Sequence, residues 1–197
     1  MGDTWGVQGP PSQAHSRVSR DLRAVTAGFG GYLDQLPRDL TARFASRVRQ
    51  AAPSERERVR GQATFAVDEA VTVVPDGADR ASLVLVRGRF EGGVRAAVGI
   101  GCAVTALLPV CFCDACDEDS ESLVEQAEEY VRVVTAGFVE FRRPYRTGFR
   151  QRLFSGPSME VGYRKAAGSG SSAGIDITDE PFTQQWSRWL PRRARTS

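Results

Sequence analysis

Val18, Leu22, Val25, Phe29 and Leu33 recur at spacings of four, three, four and four, which sets five apolar side chains on one face of a helix. Pro37 marks a break. Leu40, Phe44 and Val48 resume the same period beyond it and predict a second helix over residues 39–51, giving a helical hairpin. Residues 53–61 are charged and aperiodic, and read as a connection. The pattern then shifts from helical to extended. AVTVVP (Ala70 to Pro75), SLVLVRGRF (Ser82 to Phe90) and a third run opening at Val94 are short, β-branched and separated by Asp-Gly and Glu-Gly-Gly turn signals. They predict an antiparallel meander.

Ala96 to Cys113 is a run of eighteen residues without a charge, about the shortest length that crosses a bilayer as a helix. Gly99, Gly101, Thr105 and Pro109 interrupt it, and Val98, Ile100 and Val104 favour strand, so one or two buried strands are expected instead. Leu123, Ala127, Tyr130, Val134 and Phe138 then line one face of a helix from Ser120 to Gly137, with Ser122 and Glu125 at capping-box spacing. Another strand or two follow. AAGSGSSAG (Ala166 to Gly174) reads as a flexible loop, and PFTQQWSRWLPRRARTS as a short helix docked through Trp186, Trp189 and Leu190. Val-Thr-Ala-Gly-Phe occurs at both 25–29 and 134–138, where Ala-Gly would let two helices approach closely or Gly137 would cap one.

These elements define an α+β fold: an N-terminal helical hairpin, an antiparallel sheet of about three to five strands, and one long amphipathic helix packed on the sheet. A leader at 1–14, a single domain at 15–190 and a basic tail at 191–197 are the expected divisions. The length of 197 residues, with 41% hydrophobic and 25% charged side chains, suits one globular domain.

Charge is uneven although the net value is only +2. Residues 114–129 hold eight carboxylates and no cation, which suits a solvated helix face; residues 142–197 hold eleven cations against four carboxylates. The Arg-rich C-terminus is a candidate for weak binding to an acidic partner. Lys165 is the single lysine. The first fifteen residues lack the basic and apolar regions of an export signal, so a cytoplasmic location without membrane insertion is expected.

Three of the four cysteines fall within six residues, in Cys111-Phe-Cys113-Asp-Ala-Cys116. In an extended segment Cys111 and Cys113 point to the same side, and the following turn returns Cys116, so three thiolates can reach one ion. Zinc suits such a set. Cys102, His15 and a carboxylate such as Asp114 are the alternatives for a fourth ligand, with Cys102 preferred because it lies on the preceding strand. Thiol redox chemistry through Cys113 and Cys116 is the competing reading, since a helix start lowers a thiol pKa. Asp114, Asp117, Glu118 and Asp119 oppose a thiolate and tilt the balance toward a bound dication. Inert buried thiols are the plain alternative. With His15 the single histidine, a Ser-His-Asp or Cys-His centre has no support, and neither a Walker loop nor a dinucleotide fingerprint is present, so an enzyme is the less favoured class.

Cys111-Phe-Cys113-Asp-Ala-Cys116-Asp-Glu and Trp189-Leu-Pro-Arg192-Arg193 resemble an uncharacterised family of small proteins from high-GC bacteria. Its hallmark is Cys-Gly-Cys-Asp-Ala-Cys-Asp-Glu before an amphipathic helix, with Trp-Pro-Arg-Arg near the end. The likeness covers residues 65–195, with Phe112 in place of glycine and Leu190 inserted after the tryptophan. It implies that Cys111, Cys113 and Cys116 act as a unit with Cys102 outside it, and it brings no activity.

Overall fold

A computed structural model describes residues 21–61, 65–109, 118–144, 159–165, 168–174 and 180–193. Its order is α1 (Leu22–Arg43), β1 (Ser46–Gln50), α2 (Pro53–Arg60), β2 (Ala66–Pro75), β3 (Leu83–Phe90), β4 (Gly93–Ile100) and β5 (Val104–Leu108), followed by α3 (Ser120–Ala136), β6 (Phe138–Pro144), β7 (Met159–Lys165), β8 (Gly168–Gly174) and β9 (Phe182–Trp186). Two antiparallel sheets result, a five-stranded meander β1-β2-β3-β4-β5 and a smaller one in the order β8-β7-β6-β9. The fold is α+β, as the sequence pattern requires.

Period two divides the meander between two cores. Val71, Val73, Leu83, Leu85, Ala96, Val98 and Ile100 face α1 and α3 and join Phe29, Leu33, Leu36, Leu40, Leu123 and Ala127 in the main core. Ala70, Val84, Val86 and Ala97 point the other way and pack with Val59 of α2 and with Phe65. The helices therefore sit on both faces.

The expected N-terminal hairpin is instead one continuous helix. Pro37 lies inside α1. A proline there removes one backbone donor and strains one turn, but Leu33, Leu36 and Leu40 are all buried on one stripe across it, so packing on the sheet outweighs the local cost. The helix ends at Arg43, where Phe44 turns extended, and residues 46–50 form β1 rather than a second helix. The second short helix lies one segment later, in the stretch read as a connection. Pro53 opens α2, and Glu55 accepts from the Ala52 N–H at 2.8 Å, so both signals of a helix start were in the sequence.

Three further elements differ in detail. The α3 cap is Asp119 rather than Ser122: Ser122 N–H donates to Asp119 Oδ1 at 2.8 Å and Asp119 N–H to Ser122 Oγ at 3.0 Å. Residues 168–174, expected as a loop, pair with β7 along their whole length. The expected C-terminal helix is the strand β9, because Phe182 to Trp186 take the free edge of β6 and Pro191 cannot continue a helix. Trp189 still docks as expected: 1% exposed, it donates from Nε1 to Ala81 O at 2.9 Å and meets Phe44 edge to face with centroids 5.6 Å apart.

The repeated Val-Thr-Ala-Gly-Phe has physical content at both places. A Cβ at Gly28 would lie 3.2 Å from Ser120 Cβ, so α1 and α3 touch there, and Gly137 caps α3 at φ +83°. No helix among the described residues is long and apolar enough to cross a membrane.

Two predictions follow from this packing. Phe29 is fully buried between helix and sheet, and Phe29→Ala is expected to cost about 3–5 kcal/mol in denaturant unfolding. The second concerns α2. Arg49 Nη1 and Nη2 each donate to Glu55 at 2.6 Å, and Thr72 adds a bond at 3.2 Å. The bond from Arg49, above all, lowers the Glu55 carboxyl from 4.5 to about 2. A carboxyl depressed in the folded state stabilises above its unfolded value and loses that contribution as pH falls toward the folded one. The stability gap between wild type and Glu55→Gln should therefore be full above pH 4.5 and close by about pH 2. Thermal melts across that range measure it, and a gap independent of pH would refute it.

Candidate functional site

The cysteine turn lies between β5 and α3. Cys111, Cys113 and Cys116 fall outside the described residues, as does His15, so the geometry that bears on them is that of the two flanking ends. On one side Leu108 pairs with Ala96, and both Leu108 and Pro109 are buried. On the other, Ser120 Oγ donates to Val25 O of α1, and Asp119 caps the first turn of α3. Both ends are anchored on the same end of the sheet, since Val94 N–H, two residues from Ala96, donates to Thr26 Oγ1 of α1 at 2.8 Å. The hydrogen bonds from Ser122 N–H and Oγ hold the Asp119 carboxyl below its ordinary range.

Cys102 is the one cysteine among the described residues. It occupies the turn between β4 and β5, next to the Ile100–Val104 pair, with all of β5 between it and Leu108. At about 3.3 Å per residue, that strand places Cys102 roughly 20 Å from where the chain leaves for the cysteine turn. Its thiol is free and exposed. Burial of part of the group, followed by the nearby Glu140, raises its pKa, which makes it a poor thiolate donor in this setting. Among the described residues no group of three or more His, Cys, Asp or Glu is placed to hold a metal ion.

What surrounds Cys102 is a carboxylate cage that pattern reading missed. Glu140, on β6, is 0% exposed. Its Oε1 accepts from Ala103 N–H at 2.6 Å and Val104 N–H at 3.0 Å; Oε2 accepts from Cys102 N–H at 2.9 Å and from Trp186 Nε1 at 2.9 Å. Three successive backbone donors from one turn make an anion nest, and here the anion is a side chain from the second sheet. Gly101 makes it feasible: its φ is +62°, and a Cβ there would stand 2.3 Å from Glu140 Oε2. The sequence signal was present in Gly-Cys-Ala-Val between two strands, but the acid that fills it lies 36 to 38 residues downstream.

Arg58 of α2 approaches the same turn from the opposite face. Its Nη2 donates to Gly101 O at 3.3 Å, while Nη1 is buried without a partner. Burial lowers its pKa, with Glu140 and Cys102 pulling the other way. The arrangement is a fastener between sheets: four donors from the β4–β5 turn and β9 are all engaged by the one carboxylate from β6.

A model built for a family of unknown function, DUF6226, matches residues 1–193. The chain belongs to that family. No curated protein and no solved structure matches it. Membership of DUF6226 agrees with the resemblance to an uncharacterised family and assigns no reaction.

Glu140→Gln keeps the shape but turns an NH₂ toward N–H donors, so it is expected to destabilise by about 1–3 kcal/mol in denaturant unfolding. Trp186→Phe, which removes one donor and leaves three, should cost less. A Glu140→Gln protein within about 0.5 kcal/mol of wild type would show that the cage is not a fastener.

Proposed function

We propose that this DUF6226 protein carries a structural zinc ion in its Cys111, Cys113 and Cys116 turn, where the metal clamps the end of β5 to the start of α3 and catalyses nothing. The observation that carries this reading is the anchoring of both flanks. Buried Leu108 and Pro109 on one side and the capped, α1-bonded start of α3 on the other bracket residues 110–117, whose sequence holds three thiols and two carboxylates. Three soft ligands so close in sequence suit zinc, with Zn–S distances of about 2.3 Å. Because such a set is not assembled in the unfolded chain, metal binding adds directly to folding free energy.

The position of Cys102, a strand length away, argues against it as the fourth ligand. We assign that role to Asp114, which lies within the turn itself. The position of the α3 cap also favours metal over the redox alternative through Cys113 and Cys116: Asp119 already accepts the Ser122 N–H that would otherwise stabilise a thiolate.

Elemental analysis of protein purified under reducing conditions tests the reading, with about one zinc per chain expected. Chelation and Cys113→Ser should each lower Tm, and zinc should restore it only in the chelated wild type. Metal-free protein containing a thiol that titrates well below the ordinary cysteine range would establish the redox alternative instead.

A further inference from the structure

We propose that the cleft between α1 and the β1–β2 side of the meander binds a small carboxylic acid with an apolar body. The cleft encloses about 250 Å³. That is below the range of roughly 300–1,000 Å³ usual for drug-sized ligands, so a short aliphatic or single-ring acid fits its scale. Leu33, Val48, Val71 and Leu85 supply apolar walls. Val48 is 42% exposed, and only it and Leu190 are exposed large apolar side chains among the described residues. α1 packs mainly on β4, and Val48 on the flanking strand β1 is left partly uncovered.

Charge decides the class of ligand. The rim carries Asp34, Arg38, Glu69 and Arg87. Both carboxylates are committed to Arg87: Asp34 through Nη1, and Glu69 through Nη2 at 3.5 Å. The two uncommitted groups are both donors. Arg87 Nε is buried without a partner, and the Arg38 guanidinium has no ion pair among the described residues. An acceptor therefore completes the rim, and a carboxylate does so with charge-assisted bonds, whereas an amine would face Arg38. Beyond the Asp34–Arg87 pair lies a polar recess of about 500 Å³ whose walls carry Arg23, Arg87 and Arg89 against Asp34 and Asp68, with Arg89 paired to Asp68 at 3.1 Å.

Octanoate is a suitable probe for the full chain, with octylamine and octanol as controls, read by amide shifts in isotope-labelled protein. Saturable octanoate shifts centred on Val48, Val71 and Leu85 are expected, with none from octylamine. Arg38→Glu, at an exposed position, should weaken octanoate about tenfold or more, and Val48→Glu should abolish the shifts. Octanoate shifts that are absent or non-saturable, octanol binding as tightly as octanoate, or indifference to Arg38→Glu in a folded protein would each overturn the proposal. The cleft contains none of the cysteines, so its test stands apart from that of the zinc clamp.

Discussion

The two sheets are joined through one buried carboxylate. Glu140 leaves water completely, which by itself is costly, and it is tolerated because three main-chain N–H groups and an indole N–H converge on it. The donors come from two separate places in the fold. The backbone donors fix the turn between β4 and β5, Trp186 fixes the end of β9, and Glu140 itself fixes the register of β6 between them. Removing the acid would leave several buried donors without partners at once, an asymmetry that makes such a group much harder to lose than its net contribution suggests.

The segment after β9 extends this fastening along the molecule. Ser187 N–H reaches Asp79 O at 2.8 Å, Trp189 N–H reaches Thr135 O at 3.0 Å, and Arg192 N–H reaches Arg43 O at 2.9 Å. Within six residues the chain touches the β2–β3 turn, the last turn of α3 and the end of α1. Arg192 Nη1 also donates to Thr41 O at 2.7 Å, placing a cation where the carbonyls of α1 run out of partners. Arg192, one of the C-terminal arginines, is thus hydrogen-bonded within the fold, and Trp189-Leu-Pro-Arg192 locks the end of α1 to the body.

The legible parts of this fold were those set by local chemistry. The β-branched runs of β2 and β3, the turn signals between them and the amphipathic stripe of α3 each state their structure within about a dozen residues. Failures came where tertiary packing overruled a local signal. Pro37 looked like a stop, yet the buried stripe through Leu40 carried α1 past it. Trp186, Trp189 and Leu190 had helical spacing, but the open edge of β6 offered backbone bonds that a short helix could not match. Gly168 to Gly174 had no side-chain pattern to read, since a strand of glycine, serine and alanine is specified by its neighbour's edge alone. The cage around Glu140 was illegible for a different reason: one glutamate among many becomes special only when a distant turn aims three amides at it.

The ends of the meander are consequently closed in different ways. At the end holding Gly101, Glu140 and Trp186, closure comes from four protein donors converging on one carboxylate. At the opposite end, where Leu108 pairs with Ala96 and Ser120 bonds α1, the described structure fixes the two flanks of a short connection that carries most of the chain's thiols and several of its acids. Closing a short connection between fixed flanks is entropically cheap, so an unliganded loop would suffice merely to join them. A concentration of cysteines and carboxylates there is costly in charge repulsion unless a cation is present to offset it. That imbalance is the physical ground on which the zinc ion proposed for this connection rests.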